Sequence, residues 1–163
     1  MKCHHTDGDT LYPACSAAVR EFSDLLDLPY PSTHFVLLIA ADFAKTPTQE
    51  IIEITKQLIG RGLACVCTWG PGCEAAHDAF DLANVLWEEE TGKELHVMSS
   101  WHSRETLEEA LWFALYAAFV DDEIAEDTTT VCVSVSNPEW HQIIDQALDD
   151  LPALNERVLS TRH

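Results

Sequence analysis

A cysteine and a histidine lie four residues apart at the start of a predicted helix, a spacing that can bring a thiol and an imidazole together on one turn. Cys73 follows Gly72, and His77 is at position i+4. A helix N-terminus lowers the pKa of a thiol, so Cys73 could be a nucleophile with His77 as its base. Cys73, His77 and His102, with or without Asp42, could instead bind a metal, but zinc sites usually contain a second ligand pair.

The helical wheel favours a third interpretation, in which Cys73 is a small buried residue and His77 is solvated. At about 100° per residue, the apolar positions of this helix share one side, whereas His77 falls in the polar stripe and Cys73 at its boundary. A pair formed by these two side chains would be reachable but not enclosed. Cys73, His77 and His102 therefore stay catalytic candidates only, and we expect no metal and no cofactor.

Polar and aromatic side chains follow each predicted strand, at the carboxyl edge where ligands bind to parallel sheets. Three of these loops carry a tryptophan beside a polar group, which favours a binding site over a set of ordinary helix caps. The candidate ligand-binding residues are Asp42, Trp69, Glu74, Trp101, His102, Asn137 and Glu139.

Four apolar segments that alternate with helical patterns must position these side chains. The predicted strands cover residues 35–41, 63–68, 95–99 and 129–135, and the first is a continuous apolar run, typical of a strand covered on both faces. The alternation predicts an α/β fold: a Rossmann-like three-layer sandwich with a four-stranded, mainly parallel sheet and helices on both faces. The favoured order is 3-2-1-4, because His96 suits the third strand to an edge; the alternative is 2-1-3-4.

The sequence predicts one domain over residues 13–163, preceded by a disordered segment over residues 1–12. The domain is expected to begin with a helix over residues 14–26, ended by Pro29.

A later predicted helix, over residues 104–121, is apolar on every side in its second half. It leaves three aromatic side chains that need a cover: Trp112, Tyr116 and Phe119. The N-terminal helix is the favoured cover, which predicts a monomer. The alternative is a symmetric homodimer through this surface.

Charge and motif content exclude several classes of function. The chain has 163 residues with 28 acidic and 9 basic side chains, giving a formal charge of −19. This charge disfavours nucleic acids and anionic membranes as partners. Neither a Gly-x-Gly-x-x-Gly nor a Walker-type motif is present. No apolar run could span a bilayer, the N-terminus lacks a signal-peptide pattern, and cysteines within strands suit a reducing compartment, so we expect a cytoplasmic protein.

Four short segments carry a resemblance to a known family. They are the string from Trp69 to Asp78, the pair Trp101-His102, residues 107–113, and the string from Asn137 to Trp140. Together they resemble a small bacterial family known only as a domain of unknown function, over roughly residues 35–141. The resemblance implies a compact α/β domain and brings no established activity.

Three functions are compatible with these patterns. The favoured one is a non-catalytic binding or regulatory module that recognises a small ligand or a protein at the carboxyl rim, the edge formed by the carboxyl ends of the strands. The first alternative is a small hydrolase or nucleoside-processing enzyme that uses Cys73 or a rim carboxylate, with His102 as acid or base. The second is an acidic interaction protein that neutralises a basic partner.

Overall fold

The computed structural model describes residues 1–6 and 8–162 and shows a mixed α/β fold around a six-stranded sheet. The strands have the spatial order β1-β2-β6-β3-β4-β5, and only the β1–β2 pair is antiparallel. Their bounds are β1 Lys2–His4, β2 Ala14–Val19, β3 His34–Ala40, β4 Leu63–Trp69, β5 Met98–Trp101 and β6 Thr128–Val135. The α-helices are α1 Thr48–Gly60, α2 Cys73–Thr91, α3 Leu107–Tyr116, α4 Asp122–Ala125, α5 Pro138–Asp149 and α6 Leu151–Thr161.

The predicted strands over residues 35–41, 63–68 and 129–135 correspond to β3, β4 and β6. The third prediction, residues 95–99, overlaps β5 only at residues 98 and 99, so His96 precedes the strand. The relative order of these strands, β5-β4-β3-β6, agrees with the favoured order 3-2-1-4 and not with 2-1-3-4. The prediction of a four-stranded sheet is wrong in extent, because β2 and β1 continue the sheet beyond β6.

The N-terminal prediction is corrected by the structure. Residues 14–19 form β2 rather than a helix, and a 3₁₀ helix follows over Phe22–Asp27. Parallel pairing of β2 with β6 overrides the helix propensity of its alanines. The segment predicted to be disordered contains β1, which pairs with β2 and is joined to it by the Cys3–Cys15 disulfide. Asp7 in that segment, and His163 at the end of the predicted domain, lie outside the described residues.

Helices cover both faces of the sheet because the central strand is apolar on both sides. Along β3, Phe35, Leu37 and Ile39 pack with α1, α2 and the 3₁₀ helix. Val36 and Leu38 pack with α3, α5 and α6 on the other face. This two-sided burial explains the continuous apolar run in the sequence. No helix among the described residues has the length and apolar character needed to cross a membrane.

Two of the three aromatic side chains, Trp112 and Tyr116, are covered by α6, and not by a helix over residues 14–26 as predicted. Trp112 Nε1 donates to Asn155 Oδ1 at 2.8 Å, and the Arg162 guanidinium lies 4.4 Å from the Trp112 ring centre. Asn155 also donates to the Tyr116 hydroxyl at 3.2 Å. Phe119 stays 65% exposed. The monomer remains a prediction, now with a different helix as the intramolecular cover.

Candidate functional site

The loops after the parallel strands frame two main cavities at the carboxyl rim. The larger, about 760 Å³, lies between the β4–α2 loop and the β5–α3 loop; we call it the acidic cavity. The smaller, about 550 Å³, lies at the ends of β2, β3 and β6; we call it the switch cavity, because the chain leaves β3 and β6 toward opposite faces. Pro71 lines both.

The acidic cavity takes its character from three carboxylates and one indole. Glu74 and Asp78 come from the first two turns of α2, and Glu105 comes from the β5–α3 loop. The Trp69 ring forms part of the wall. None of the described lysine or arginine side chains lines this cavity, so its lining is strongly anionic.

A glycine turn builds the wall between β4 and α2. Gly70 has φ +119°, and a Cβ at this position would lie 2.1 Å from the Ala41 carbonyl oxygen. Gly72, with φ +76°, caps α2. Because only glycine adopts these conformations without strain, the turn lets α2 begin directly beside the end of β3. The Thr68 hydroxyl donates to the Cys73 carbonyl oxygen at 3.0 Å and closes the turn.

His102 holds the β5–α3 loop against the sheet. It is 5% exposed, and its ring lies 4.8 Å from Phe113 on α3. Its Nε2 is 3.0 Å from Ser100 Oγ, and its Nδ1 is 3.6 Å from Glu105 Oε1. With neighbours at both nitrogens, the imidazole is positioned to orient Glu105 at the cavity wall.

A buried thiol lies beside this histidine. Hydrogen bonding from Cys65, together with hydrogen bonds to His102 and Ser100, lowers the pKa of Cys67 against the opposing effect of burial. Cys67 is fully buried and lines neither rim cavity. No pattern in the sequence marks Cys67 as a functional residue.

Cys73 and His102 both line the acidic cavity, but the predicted Cys73–His77 pair does not form. The His77 ring packs against Trp101, with ring centres 4.5 Å apart, and its Nε2 lies 3.6 Å from Asp81. His77 is therefore largely buried by Trp101 rather than solvated. Cys73 is 2% exposed, as in the interpretation that made it a small buried residue.

The expected lowering of the Cys73 pKa is also wrong. Burial raises the pKa of this thiol by more than the backbone N–H groups of His102 and Gly70 lower it. A thiol with a raised pKa is a poor nucleophile near neutral pH.

Cys73 should therefore react slowly with iodoacetamide in the folded protein. At pH 7.5, we expect its alkylation to be at least about ten-fold slower than in urea, because the thiol is buried and protonated. Tandem mass spectrometry of the tryptic peptide over residues 62–93, which also contains Cys65 and Cys67, measures the rate at Cys73 over a time course. Rapid alkylation of Cys73 in the folded protein would restore the nucleophile hypothesis.

The switch cavity is lined by other residues of the predicted site. Asp42 and Asn137 line it, together with Arg20, which the sequence analysis missed. Asp42 Oδ2 is 3.6 Å from Lys45 Nζ, while its buried Oδ1 has no hydrogen-bond partner among the described residues. Asn137 Oδ1 accepts from the Trp140 N–H at 3.1 Å, so this residue is a helix cap.

Two tryptophans stand at the boundary of the two cavities. Trp69 lines the acidic cavity, Trp140 lines the switch cavity, and their ring centres are 5.1 Å apart in an edge-to-face contact. Trp69 Nε1 also donates to the Glu105 carbonyl oxygen at 2.9 Å, which fixes its ring. The predicted rim residues are thus distributed over two places rather than one.

The remaining predicted residues lie at the periphery. Trp101 is 44% exposed and lines a small cavity beside the acidic one, together with Glu74, Ser103, Arg104 and Glu105. Glu139 is exposed on the first turn of α5 and lines neither rim cavity. Sequence reasoning missed Asp78 and Glu105, although the i+4 spacing from Glu74 and the i+3 spacing from His102 were available signals.

Metal coordination has no support in the described residues. Among them, no group of three or more histidine, cysteine, aspartate or glutamate side chains is arranged to hold a metal ion.

The comparisons with known proteins give a family and no activity. Neither the curated proteins nor the solved structures contain a significant match to the chain. One family matches residues 15–151, which include the β4–α2 turn, the Trp101-His102 pair and the start of α5. The match extends further along the chain than the resemblance in the four segments. The chain therefore belongs to the family described as Domain of unknown function (DUF7684).

Proposed function

We propose that this protein is a non-catalytic binding module that recognises a cationic group in the acidic cavity of its carboxyl rim. The observation that carries the proposal is the lining of that cavity: three carboxylates, one indole and none of the described lysine or arginine side chains. The formal charge of −19 adds long-range attraction for a cation.

Each part of the lining suits a protonated amine or a guanidinium on a short apolar stem. The oxygens of Glu74, Asp78 and Glu105 can accept N–H donors, and such charge-assisted hydrogen bonds are stronger than neutral ones. The Trp69 ring, fixed by its bond to the Glu105 carbonyl, offers a surface for a cation–π contact or for methylene groups. Helices on both faces of a parallel sheet, with cavities at its carboxyl ends, also support the Rossmann-like description of the fold.

The hydrolase alternative has weaker support. General-base catalysis needs a nucleophile within hydrogen-bond reach of its base. Burial raises the pKa of Cys73, and His77 packs against Trp101. In the version that uses a rim carboxylate with His102, the His102 Nδ1 lies 3.6 Å from Glu105 Oε1, which is longer than a hydrogen bond. The alternative of a protein that neutralises a basic partner is compatible with the same acidic cavity, because a lysine or arginine side chain presents the same cationic group.

A cytoplasmic location remains our proposal. Cys65, Cys67, Cys73 and Cys132 are free, buried thiols, which suit a reducing compartment. The Cys3–Cys15 disulfide would be open under such conditions.

Isothermal titration calorimetry with spermidine tests the proposed function. The double variant Glu74→Gln with Glu105→Gln should bind spermidine about ten-fold more weakly than the wild type, since each partly exposed ion pair contributes up to about 1 kcal/mol. The neutral 1,8-octanediol should not bind.

The matched control removes two negative charges elsewhere. Glu89→Gln with Glu94→Gln changes exposed side chains outside both rim cavities. This control should bind spermidine within about two-fold of the wild type. Equal weakening in the two double variants would mean that spermidine senses the net charge only, and the proposed function would be wrong.

A further inference from the structure

One edge of the sheet has an unprotected main chain. β5 is an edge strand of four residues, Met98–Trp101, and none of them is charged. The His102 N–H donates to the Thr68 carbonyl at 2.9 Å, so the main-chain groups of His102 point toward β4. Because successive residues of a strand point their N–H and C=O groups to opposite sides, those of Ser99 and Trp101 point away from β4. These outward groups are free to pair with an additional strand.

The opposite edge shows how this protein protects an edge. β1 carries Lys2 and His4, and both side chains are bound to Asp149 of α5, at 3.0 and 2.8 Å. An exposed lysine at a sheet edge opposes strand addition. β5 has no such residue; instead it exposes Met98 (59%) and Trp101 (44%). The contrast marks β5 as the edge that can accept a strand.

An acidic stripe of α2 runs along this free edge. Glu74, Asp78 and Asp81 recur at i, i+4 and i+7 and therefore share one face of the helix. The Ser99 hydroxyl donates to Asp81, so the stripe lies beside the strand. At its carboxyl end the strand borders the small cavity that Trp101 and Arg104 line, and this cavity shares Glu74 and Glu105 with the acidic one.

We propose that an extended segment of another protein, with lysine or arginine at alternate positions, adds as a strand to the free edge of β5. Its main chain pairs with Ser99 and Trp101, its alternate basic side chains face the acidic stripe, and one of them enters the acidic cavity. This inference rests on the proposed function, for which it names the partner. Alternate residues of a strand are about 6.8 Å apart, whereas the rise along the helix is roughly 6 Å from Glu74 to Asp78 and roughly 4.5 Å from Asp78 to Asp81. Two successive basic groups therefore match Glu74 and Asp78 most closely.

Charge decides between this partner and a second copy of the chain. Pairing of two β5 edges would bring together two molecules that each carry a formal charge of −19. Such like-charge contact opposes association, whereas a basic segment is attracted.

A designed peptide separates edge pairing from cation binding. The probe is acetyl-Lys-Val-Lys-Val-Lys-Val-amide, and the edge variant is Ser99→Pro, which removes an outward N–H without touching the β4 ladder. Ser99→Ala is the matched control, because it loses the same bond to Asp81 and keeps the N–H. We expect the peptide to bind the wild type and Ser99→Ala alike, and Ser99→Pro at least about ten-fold more weakly, while spermidine binds all three equally.

Failure of strand addition and failure of cation binding would give different results in this experiment. Equal peptide affinity for Ser99→Pro and Ser99→Ala, with spermidine still bound, would overturn strand addition and leave cation binding standing. A peptide-free dimer that Ser99→Pro dissociates would also overturn it, because the occupant would then be a second copy. If Ser99→Pro does not fold, hydrogen exchange of the wild type decides: the peptide should slow exchange of the Ser99 and Trp101 amides, and unchanged exchange would overturn the proposal.

Discussion

Replacing Gly70 with alanine should destabilise the protein by several kcal/mol. A non-glycine residue held in such a backbone conformation costs about 1–3 kcal/mol. The new Cβ would also lie 2.1 Å from the Ala41 carbonyl oxygen, and relieving such a clash costs about 1–3 kcal/mol more. Because β3 and β4 are both central strands, the neighbouring backbone cannot move away easily. Urea denaturation measures the loss.

Gly92→Ala is the control for this variant. Gly92 also has a positive φ, +70°, but a Cβ there would have no atom within 4 Å. The Gly92→Ala substitution should therefore lower the free energy of unfolding by only about 1–2 kcal/mol, the energy of the left-handed conformation alone. Equal destabilisation by the two substitutions would show that the close approach of Gly70 to Ala41 contributes nothing.

Reduction of the Cys3–Cys15 disulfide should lower the free energy of unfolding by about 2–3 kcal/mol. The bond joins residues 12 apart and closes a short loop, which restricts the unfolded chain. Denaturation in the presence and absence of dithiothreitol measures the difference. β1 should stay in place after reduction, because the His4 ring is bound to Asp149 and lies 2.9 Å from Ser16 Oγ.

Cys3→Ser provides the control for reduction. This variant should be less stable than the oxidised wild type by the same amount and should no longer respond to dithiothreitol. A variant that still lost stability on reduction would indicate a different disulfide, although the other cysteines are free thiols in the structure.

The central strands could be predicted because a strand buried on both faces needs apolar residues at nearly every position. Residues 35–40 are apolar without interruption, since alternate side chains meet helices on opposite faces of the sheet. β2 could not be predicted in this way. Its alanines favour a helix when taken alone, and only pairing with the distant β6 makes the segment a strand.

The cover of α3 was predicted in the wrong place for a similar reason. The sequence shows that Trp112 and Tyr116 need a partner, but it does not show which amphipathic segment supplies it. In the structure the partner is α6, which contributes Asn155 as a hydrogen-bonding group to both aromatic side chains. Because Asn155 is polar, the hydrophobic pattern of the sequence does not reveal its contact with the two aromatic side chains.

The candidate site was predictable in position and not in detail. Cys73 and His102 line one cavity because β4 and β5 are neighbours, which the favoured strand order implied. The division into two cavities depends on the contact between Trp69 and Trp140. No local sequence pattern predicts this contact, because the two residues are far apart in the chain. The direction of the Cys73 pKa shift also depends on burial, which the helix position alone does not give.

The most direct test of cation binding in the acidic cavity is a titration of the ¹⁵N-labelled protein with spermidine, followed by two-dimensional NMR. The account predicts saturable shifts concentrated at the amides of Gly72, Glu74 and Ser103, which line the cavity. Exposed acidic residues at the opposite end of the sheet, such as Asp121 and Glu123, should shift little, because they lie beside the starts of β3 and β4. Small, non-saturating shifts spread over all acidic segments, or shifts concentrated in the switch cavity around Asp42, would contradict the account.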